Sequence, residues 1–294
     1  MRADWSGSPV APFGAPLSGN GGHCVPGFRT CPACDADNRS QRAGPYGRDP
    51  WIIKTCVACD FTYLENAPAD EAFAEDFAWE KTSAAEDRRR HRARPLAKRL
   101  SDVLKKLRRD LLRRDKLLRL IRRYLAPGPC VDLGCGSGGV LSRLPPAAIP
   151  YGIEISPVLA READAVARAR GGRVVQAGCI DGLRSWPADF FSGALLSAFL
   201  EHESRPRELL GELHRTLRPG AVAIIKVPNF GSLNRRVRST AWCGFRFPDH
   251  MNYFTATSLA AMVRRSGFRV TQCAFADHFP LSDNLWMVVG KADR

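Results

Sequence analysis

A glycine-rich turn after a short apolar run is the first part of the sequence that could bind a ligand. Residues 130–133 predict a buried strand, and the turn that follows contains Gly134, Gly136, Gly138 and Gly139. Glycine tolerates positive φ in a tight turn, and without a Cβ it lets the backbone approach a ligand closely. We expect a helix after the turn, whose first N–H groups would face an anionic group. Two patterns fit, the dinucleotide fingerprint G-x-G-x-x-G and the pattern D-x-G-x-G-x-G, which begins at Asp132.

Three acidic residues stand at the ends of successive predicted strands. Asp132 precedes the glycine turn, Glu154 ends the second predicted strand 22 residues later, and Asp181 follows the third. In an open parallel sheet, ligands bind at the carboxyl ends of the strands. A carboxylate at the position of Glu154 suits a ribose, because both adjacent hydroxyls can donate to it. The alternative for Glu154 is an ordinary place on the surface.

Two Cys-x-x-Cys pairs near the N-terminus have the spacing of a metal site. With 21 residues between the pairs, the four cysteines are Cys31, Cys34, Cys56 and Cys59. Each pair can form a knuckle that offers two thiolates to one tetrahedral zinc ion. Four sulfur ligands leave no open position, so we expect structural zinc that supplies the folding energy of a segment too small to build its own core.

The elements that must position these residues follow a strand–helix alternation from residue 130 onward. Such alternation predicts a parallel sheet with helices on both faces. We therefore expect an α/β fold with a Rossmann-like, seven-stranded sheet and a small N-terminal zinc ribbon. The seven strands are predicted over 130–133, 147–154, 173–177, 190–200, 221–227, 268–275 and 285–289.

Composition divides the chain into five segments. We predict a disordered tail over 1–22, the zinc ribbon over 23–66, a connector over 67–94 that changes from acidic to basic, a basic amphipathic helix over 95–126, and the α/β domain over 127–294. Within that domain, residues 230–254 form an insertion that we expect to lie over the ligand as a lid. Its aromatic residues could line a pocket for a ring-bearing or anionic molecule, or they could pack the lid in place.

The positive charge of the chain is concentrated in one segment. Residues 88–123 contain 17 Lys and Arg and three acids, and 17 − 3 gives +14, which equals the formal net charge of the whole chain. Apolar residues recur there with a helical period. Three explanations fit a basic helix over 95–124: solvated charges on a helix packed against the α/β domain, an anionic membrane or lipid-linked substrate, and, less favoured, nucleic acid.

The remaining composition indicates a globular protein of the cytoplasm, with association to a membrane surface as an option. The sequence has no run of about 18 apolar residues that would predict a membrane span. It also has no apolar signal core at its start. The ten cysteines are then expected in a reducing compartment, where metal binding or burial is commoner than a disulfide.

Several stretches together resemble the class I S-adenosylmethionine (SAM) dependent methyltransferases. They are residues 131–138, 152–154, Asp181, Glu201-His202, 217–220 and 227–229. Among these enzymes the sequence is similar to the small-molecule branch that includes ubiquinone-biosynthesis enzymes. The stretch 248–255 is similar to a subgroup that often has an N-terminal zinc ribbon. One departure is Glu203, which stands where the family commonly has an apolar residue.

The resemblance implies roles for the glycine turn at the methionine end of SAM. Gly134 and Gly136 would line that end, Gly138 would complete the turn, and Asp132 would orient it near the amino group of the cofactor.

At the adenosine end, the resemblance implies that Glu154 holds the ribose and that Asp181 accepts a hydrogen bond from the adenine amino group. Ile180 or Ile155 would pack against the adenine ring. A nicotinamide cofactor, the alternative, would leave Asp181 and the motifs around two histidines unexplained.

Those histidines are the candidates for proton removal. Methyl transfer from a sulfonium is an in-line displacement, so the enzyme must align donor and acceptor and can also need a base. A histidine with a pKa near neutrality is efficient in that role. We predict His250, in the insertion, as the base, with His202, at the end of the fourth strand, and Asp249 as alternatives. A backbone-bound, structural histidine is the other possibility for both.

Three functions fit these features. The first is O-methylation of a small molecule, such as a nucleotide- or lipid-linked sugar in surface glycan synthesis. The second is RNA methylation, with the ribbon and the basic helix as the docking surface. The third is a non-catalytic adaptor that binds SAM or zinc. Neither Asn-Pro-Pro-Tyr nor Pro-Cys follows the fourth strand, which argues against methylation of the adenine amino group and against cysteine attack on a pyrimidine.

Overall fold

The structure is a computed structural model that describes residues 28–68 and 115–292. The predicted tail, nearly all of the connector and the larger part of the predicted basic helix lie outside the described residues. Within them, the N-terminal region forms an antiparallel hairpin of strands β1 (Ile53–Thr55) and β2 (Thr62–Leu64). The second cysteine pair lies between these strands, as the sequence predicts.

Helix α1 (Lys116–Tyr124) is the part of the predicted basic helix that the structure describes. It begins after Asp115, whose side chain accepts a hydrogen bond of 3.2 Å from the backbone N of Leu118. Asp115 itself has extended backbone dihedrals (φ −72°, ψ 103°). The prediction of one helix over 95–126 stays a prediction, since residues 95–114 lie outside the described residues and α1 begins at Lys116 with Asp115 as its N-cap.

The α/β domain follows in regular alternation. Its elements are β3 (Gly128–Leu133), β4 (Ala148–Glu154), α2 (Pro157–Arg168), β5 (Arg173–Gln176), α3 (Cys179–Arg184), β6 (Phe191–Ser197), α4 (Pro206–Thr216), β7 (Leu217–Pro228), α5 (Leu233–Arg238), β8 (Asn252–Tyr253), α6 (Ala256–Arg265), β9 (Arg269–Gln272) and β10 (Asn284–Gly290). Seven strands form the central sheet in the order β5-β4-β3-β6-β7-β10-β9, with β10 antiparallel to both of its neighbours. This topology confirms the predicted Rossmann-like α/β fold.

The strand order places a crevice at the middle of this sheet. From β3 the chain proceeds to β4 and β5 on one side and then returns to β6 on the other side of β3. Ligands of open α/β sheets bind where the order reverses in this way, outside the carboxyl ends of the strands. The inner strands are buried on both faces and almost entirely apolar, as parallel strands between two layers require.

The helix expected directly after the glycine turn is not formed. Between Gly139 and β4 the structure has only a single 3₁₀ turn, Leu141–Arg143. Pro145 and Pro146 follow it. A proline disfavours the helical conformation for the residue before it, and Leu144 is extended (φ −62°, ψ 146°). The prediction that a helix N-terminus would face the ligand is therefore wrong for this turn.

The insertion after β7 is joined to the ribbon. Strand β8 pairs with β2, so that Thr62 lies opposite Tyr253 and the hairpin becomes a three-stranded sheet. The aromatic residues of the insertion share an apolar cluster with the ribbon, and its buried members are Ile53, Leu64, Ala67, Phe230, Trp242, Phe245, Met251 and Tyr253. Of the two roles considered for these aromatic residues, the structure supports packing.

Among the described residues, none of the helices combines the length and the apolar character that a membrane crossing requires.

Candidate cofactor site and a Glu-His-His cluster

The glycine turn after β3 is built from residues in the left-handed region. Gly134, Gly136 and Gly138 have φ values of 67°, 54° and 83°. A Cβ on Gly134 would come within 2.4 Å of the ring of Phe199, whereas a Cβ on Gly136 would meet no heavy atom within 4 Å. Packing therefore excludes a side chain at Gly134, while the backbone at Gly136 borders open space in which a ligand can lie.

Glu154 is held at the end of β4 by the turn itself. Its Oε2 accepts a 2.8 Å hydrogen bond from the backbone N of Gly136, and its Oε1 accepts one of 3.0 Å from the backbone N of Ser156. A carboxylate has about four acceptor sites, so both oxygens keep lone pairs for further donors. This arrangement fits the two hydroxyls of a ribose, the ligand that the sequence predicts for Glu154.

Asp132 is a buried acid beneath the turn. It is 3% exposed. Burial, together with the charge of Glu154, raises the pKa of the Asp132 carboxyl to about 7. A cationic group beside it would reverse this shift, because an opposite charge favours the ionised carboxylate. The site therefore fits the ammonium group of a bound amino acid moiety.

The residues predicted at the adenine end lie along the neighbouring rim. Asp181 lies in the first turn of α3 and forms a 3.1 Å ion pair with Arg184. Ile155, directly after Glu154, is 47% exposed, whereas Ile180 is 3% exposed and belongs to the core. Of the two isoleucines, Ile155 is the one whose side chain lies open to a ligand.

The carboxyl end of β6 leads into a second group of polar residues. The 3₁₀ turn Leu200–His202 begins directly after Phe199, the residue that contacts Gly134. Glu201 in this turn is 1% exposed, and its Oε2 has no hydrogen-bond partner among the described residues. Burial raises the pKa of the Glu201 carboxyl to about 8. An orphaned buried acid of this kind is costly and needs an explanation.

His202 points its two ring nitrogens at different partners. Nδ1 lies 2.9 Å from the backbone oxygen of Asp249, and Nε2 lies 4.0 Å from Oε1 of Glu201. A carbonyl oxygen only accepts, so Nδ1 carries the proton and Nε2 carries the lone pair. Burial and the nearby charge of Arg246 lower the pKa of His202 to about 4. The imidazole is therefore neutral at pH 7.

His250, like His202, hydrogen-bonds through Nδ1 to a backbone carbonyl oxygen. It is 6% exposed, its Nδ1 lies 2.8 Å from the backbone oxygen of Gly244, and its ring centroid lies 4.7 Å from that of His202. Asp249, next to it in the chain, accepts a 3.2 Å hydrogen bond from Arg246. The structure thus brings His202 together with Asp249 and His250, the other two residues predicted for proton removal, across a separation of 47 residues in sequence.

Glu201 completes this group, and sequence reasoning had not selected it as a site residue. Glu201, His202 and His250, which we call the Glu-His-His cluster, each offer one potential ligand atom, and all of these atoms lie within 4.8 Å of one another. The available signal was an acid directly after a buried strand and beside a histidine. By contrast Glu203, the departure from the family pattern, accepts a 2.9 Å hydrogen bond from the backbone N of Arg205, just before α4.

The four predicted zinc ligands also converge. The Sγ atoms of Cys31 and Cys59 are 3.6 Å apart, those of Cys34 and Cys56 are 3.5 Å apart, and all four lie within 4.8 Å of one another. Thiolates bound at about 2.3 Å to a tetrahedral ion are separated by about 3.8 Å. Each pair is followed by an aspartate with positive φ, and the two knuckles have the same pattern of backbone hydrogen bonds. This four-cysteine cluster fits zinc.

Comparison with known proteins agrees with the fold. The model of a methyltransferase domain family matches residues 89–273, which is more than half of the chain. No curated protein matches the sequence.

Several solved structures are similar at low identity. A SAM-dependent methyltransferase from Archaeoglobus fulgidus is 19% identical, with a TM-score of 0.48, and the match covers 62% of this chain and 94% of that one. A second, from Mesorhizobium loti, is 18% identical, with a TM-score of 0.47 and coverage of 60% and 96%. The [4+2]-cyclase SpnF is 19% identical, with a TM-score of 0.48 and coverage of 61% and 82%. Similarity at this level says nothing about the acceptor.

The family match, the seven-stranded sheet and the carboxylates around the glycine turn agree with one another. The chain belongs to the methyltransferase domain family and is a SAM-dependent methyltransferase.

Proposed function

We propose that this methyltransferase O-methylates a small molecule, such as a nucleotide- or lipid-linked sugar in surface glycan biosynthesis. The observation that carries the proposal is the burial of the Glu-His-His cluster beside the glycine turn. Glu201 and His250 are buried and His202 is only partly exposed. A hydroxyl on a small or slender acceptor can reach such a position more readily than a group within folded RNA.

SAM supplies an activated methyl group on its sulfonium. The residues of the chain would bind and orient it: Asp132 the ammonium group, Glu154 the ribose and Asp181 the adenine, with Ile155 against the ring. The glycine turn supports this assignment, because Gly136 borders open space between Asp132 and Glu154.

On the acceptor side, His250 is our first choice for removing the proton of the hydroxyl, with His202 and Asp249 as alternatives. Their support is geometric. The imidazoles of His202 and His250 meet edge to face, with ring centroids 4.7 Å apart. His202 is three residues after Phe199, whose ring lies against Gly134. Hydrogen bonds from both Nδ1 atoms to backbone carbonyls fix the tautomer that accepts a proton at Nε2.

The four-cysteine cluster is proposed to hold a structural zinc ion. Its role would be to fix the ribbon sheet, to which β8 of the insertion is paired. The backbone N of Leu64 donates to the oxygen of Met251, and the backbone N of Met251 donates to the oxygen of Glu201, at 2.8 Å each. A continuous chain of hydrogen bonds thus leads from the ribbon to the Glu-His-His cluster.

A lipid-linked acceptor, or a membrane surface that presents it, is favoured by an exposed patch on the insertion and the loop before β10. Its apolar side chains are Leu233, Val237, Phe275, Phe279 and Leu281. Helix α5 adds Arg236 and Arg238, and the two segments are joined by a 2.8 Å hydrogen bond from the backbone N of Leu233 to the oxygen of Pro280. Apolar and basic side chains together are typical of surfaces that bind anionic lipid. Sedimentation with anionic vesicles at low and high salt tests this part.

The acceptor is identified by labelling. The zinc-replete protein is incubated with methyl-labelled SAM and fractionated cell extract, with an Asp132→Asn variant as the inactive control. Label in small molecules or glycolipids is the expected result. Label in RNA would replace the proposal with RNA methylation, and no label in any fraction, despite measurable SAM binding, would favour the adaptor.

A further inference from the structure

We propose that the Glu-His-His cluster is a binding site for a divalent transition-metal ion such as Mn²⁺, Fe²⁺, Co²⁺ or Zn²⁺. One carboxylate and two imidazoles are a ligand set that such ions favour. The three residues come from the turn after β6 and from the insertion, and each offers a ligand atom within 4.8 Å of the other two. This site is separate from the four-cysteine cluster.

The first support is the orphaned oxygen of Glu201. The carboxyl group is almost fully buried, and Oε2 has no hydrogen-bond partner among the described residues. Buried polar atoms are almost always satisfied, and a metal ion would satisfy this one. The ligand atoms must approach by about 1 Å to reach the roughly 2.0–2.2 Å bond lengths of such ions, a movement that side-chain rotations can supply.

The second support is the orientation of both imidazoles. A metal-bound histidine almost always donates its other ring N–H to a carboxylate, a backbone carbonyl or water. His202 makes this bond to the oxygen of Asp249 at 2.9 Å, and His250 makes it to the oxygen of Gly244 at 2.8 Å. In both rings the proton is therefore on Nδ1, which makes Nε2 the potential ligand atom.

The charges around the cluster are compatible with a dication. Arg246, whose charge acts on both Glu201 and His202, has its guanidinium paired with Asp249 at 3.2 Å. The ammonium group of Lys226, which also influences Glu201, lies over the ring of Trp286 at 5.6 Å. The ion would carry two positive charges against the single negative charge of Glu201, and the net charge that remains suits an ionised acceptor oxygen.

The role of the ion rests on the proposed function, whereas the binding itself does not. Three protein ligands leave positions open, and an open position allows a Lewis acid to hold a hydroxyl and lower its pKa. The acceptor hydroxyl would lose its proton to solvent, its oxygen would form the new O–CH₃ bond, and the S–CH₃ bond would break with its electron pair retained on sulfur. In this scheme His202 and His250 hold the ion through Nε2, so His250 acts as the base proposed above only in the protein without the ion.

Titration of the zinc-replete full chain with Mn²⁺, and separately with Co²⁺, tests the proposal. Free Mn²⁺ is followed by electron paramagnetic resonance, bound Co²⁺ by visible absorption, and retained zinc by elemental analysis. We expect one additional ion per chain in the wild type and a loss of affinity of about 100-fold or more in Glu201→Gln and His250→Asn, since even outer-shell changes cost 10–100-fold. His278→Asn, which changes a histidine of the loop before β10, serves as the matched control and should bind as the wild type does.

Circular dichroism and SAM affinity establish that each variant is folded. If the wild type binds neither ion more tightly than Glu201→Gln does, the metal proposal is wrong. Should that wild type still bind SAM and transfer methyl groups, the proposed function survives without the metal. Binding of the ion without any binding of SAM would support the metal site and overturn the proposed function.

Discussion

The four-cysteine cluster and the Glu-His-His cluster are two groups of potential metal ligands that differ in how completely they would surround an ion. The cysteines come from two knuckles of one short segment, and their four thiols surround a single position on all sides. The Glu-His-His cluster has three potential ligands from two parts of the chain and one partly exposed histidine. Closure by four ligands suits a structural role, while three ligands leave room for a substrate.

The two clusters are nevertheless mechanically linked. Ribbon strand β2 pairs with β8, and the residue before β8, Met251, donates to the oxygen of Glu201. The stability of the four-cysteine cluster should therefore control the geometry of the Glu-His-His cluster. Changes at the Glu-His-His cluster should leave the four-cysteine cluster intact. The following predictions test this asymmetry, from the largest expected effect to the smallest.

The largest effect is expected from Cys34→Ser. It removes one of the four thiolates, and structural zinc contributes on the order of 10–16 kcal/mol in zinc-finger peptides. We expect loss of zinc and of amide protection in the ribbon and also in β8, because the two share a sheet. Hydrogen exchange with mass spectrometry and elemental analysis measure this. Cys273→Ser is the control and should keep both zinc and protection, and normal protection of β8 in Cys34→Ser would show that the two regions are not coupled.

The next effect is expected from Asp132→Asn, which changes the buried carboxyl group proposed to bind the ammonium group of SAM. The folded-state pKa of Asp132 is raised to about 7 from 3.8, so its stabilising contribution is fully present below about pH 4 and is lost progressively as the pH rises to 7 and above. Removing the charge should therefore stabilise the SAM-free protein at pH 8 by roughly 3 kcal/mol.

The same variant should bind SAM about 100-fold more weakly, since a paired, buried charge contributes about 3 kcal/mol or more. The SAM affinity of the wild type should fall as the pH drops below 7, because Asp132 must then lose a proton, whereas the variant should show little such dependence. Calorimetry at pH 6 and 8 checks both expectations. Glu162→Gln, an exposed acid on α2, is the control. Equal pH dependence in Asp132→Asn and the wild type would contradict the assigned role.

A smaller effect is expected from Asn252→Ala, which breaks the link between the clusters. The buried Asn252 amide donates to the backbone oxygens of Leu200 at 3.0 Å and Glu203 at 2.6 Å. Losing both bonds should cost about 2 kcal/mol of folding stability and slow methyl transfer, while the zinc content stays unchanged. Thermal unfolding and zinc analysis measure this, with Asn234→Ala on α5 as the matched control. Loss of zinc from Asn252→Ala would mean that the coupling also runs from the active site to the ribbon.

The smallest effect should come from Asp181→Asn at the rim. The side chain is mostly exposed and its ion pair with Arg184 should contribute well under about 1 kcal/mol. Stability should therefore stay within about 0.5 kcal/mol of the wild type, while SAM affinity falls by several-fold if Asp181 meets the adenine. Arg184→Ala removes this ion pair and a second one with Glu208 but keeps the Asp181 carboxylate, and it should leave SAM affinity unchanged. Unchanged affinity in Asp181→Asn would remove this residue from the cofactor site.

Sequence patterns served well wherever the information is local. The alternation of strands and helices gave the sheet and most element boundaries, and Thr255 with Ser258 forms the N-terminal cap of α6 in the way that the sequence indicates. The spacing of the cysteine pairs predicted which four cysteines converge, because each knuckle is a local turn. The glycine turn also lies where the sequence predicts it. The helix expected after the turn does not form, because Pro145 and Pro146 disfavour the helical conformation of the residues before them.

By itself, then, the sequence determined the α/β fold, the acids at the ends of its strands and the four-cysteine cluster, since each depends on short-range periodicity or fixed spacing. Only the tertiary structure decided that the insertion joins the ribbon sheet, that Glu201 is buried with an unsatisfied oxygen, and that His202 and His250 face each other. These facts arise from the pairing of β2 with β8 and from the packing of segments about 190 residues apart. Contacts over such distances leave no periodic trace in a single sequence, because they depend on how completed elements pack.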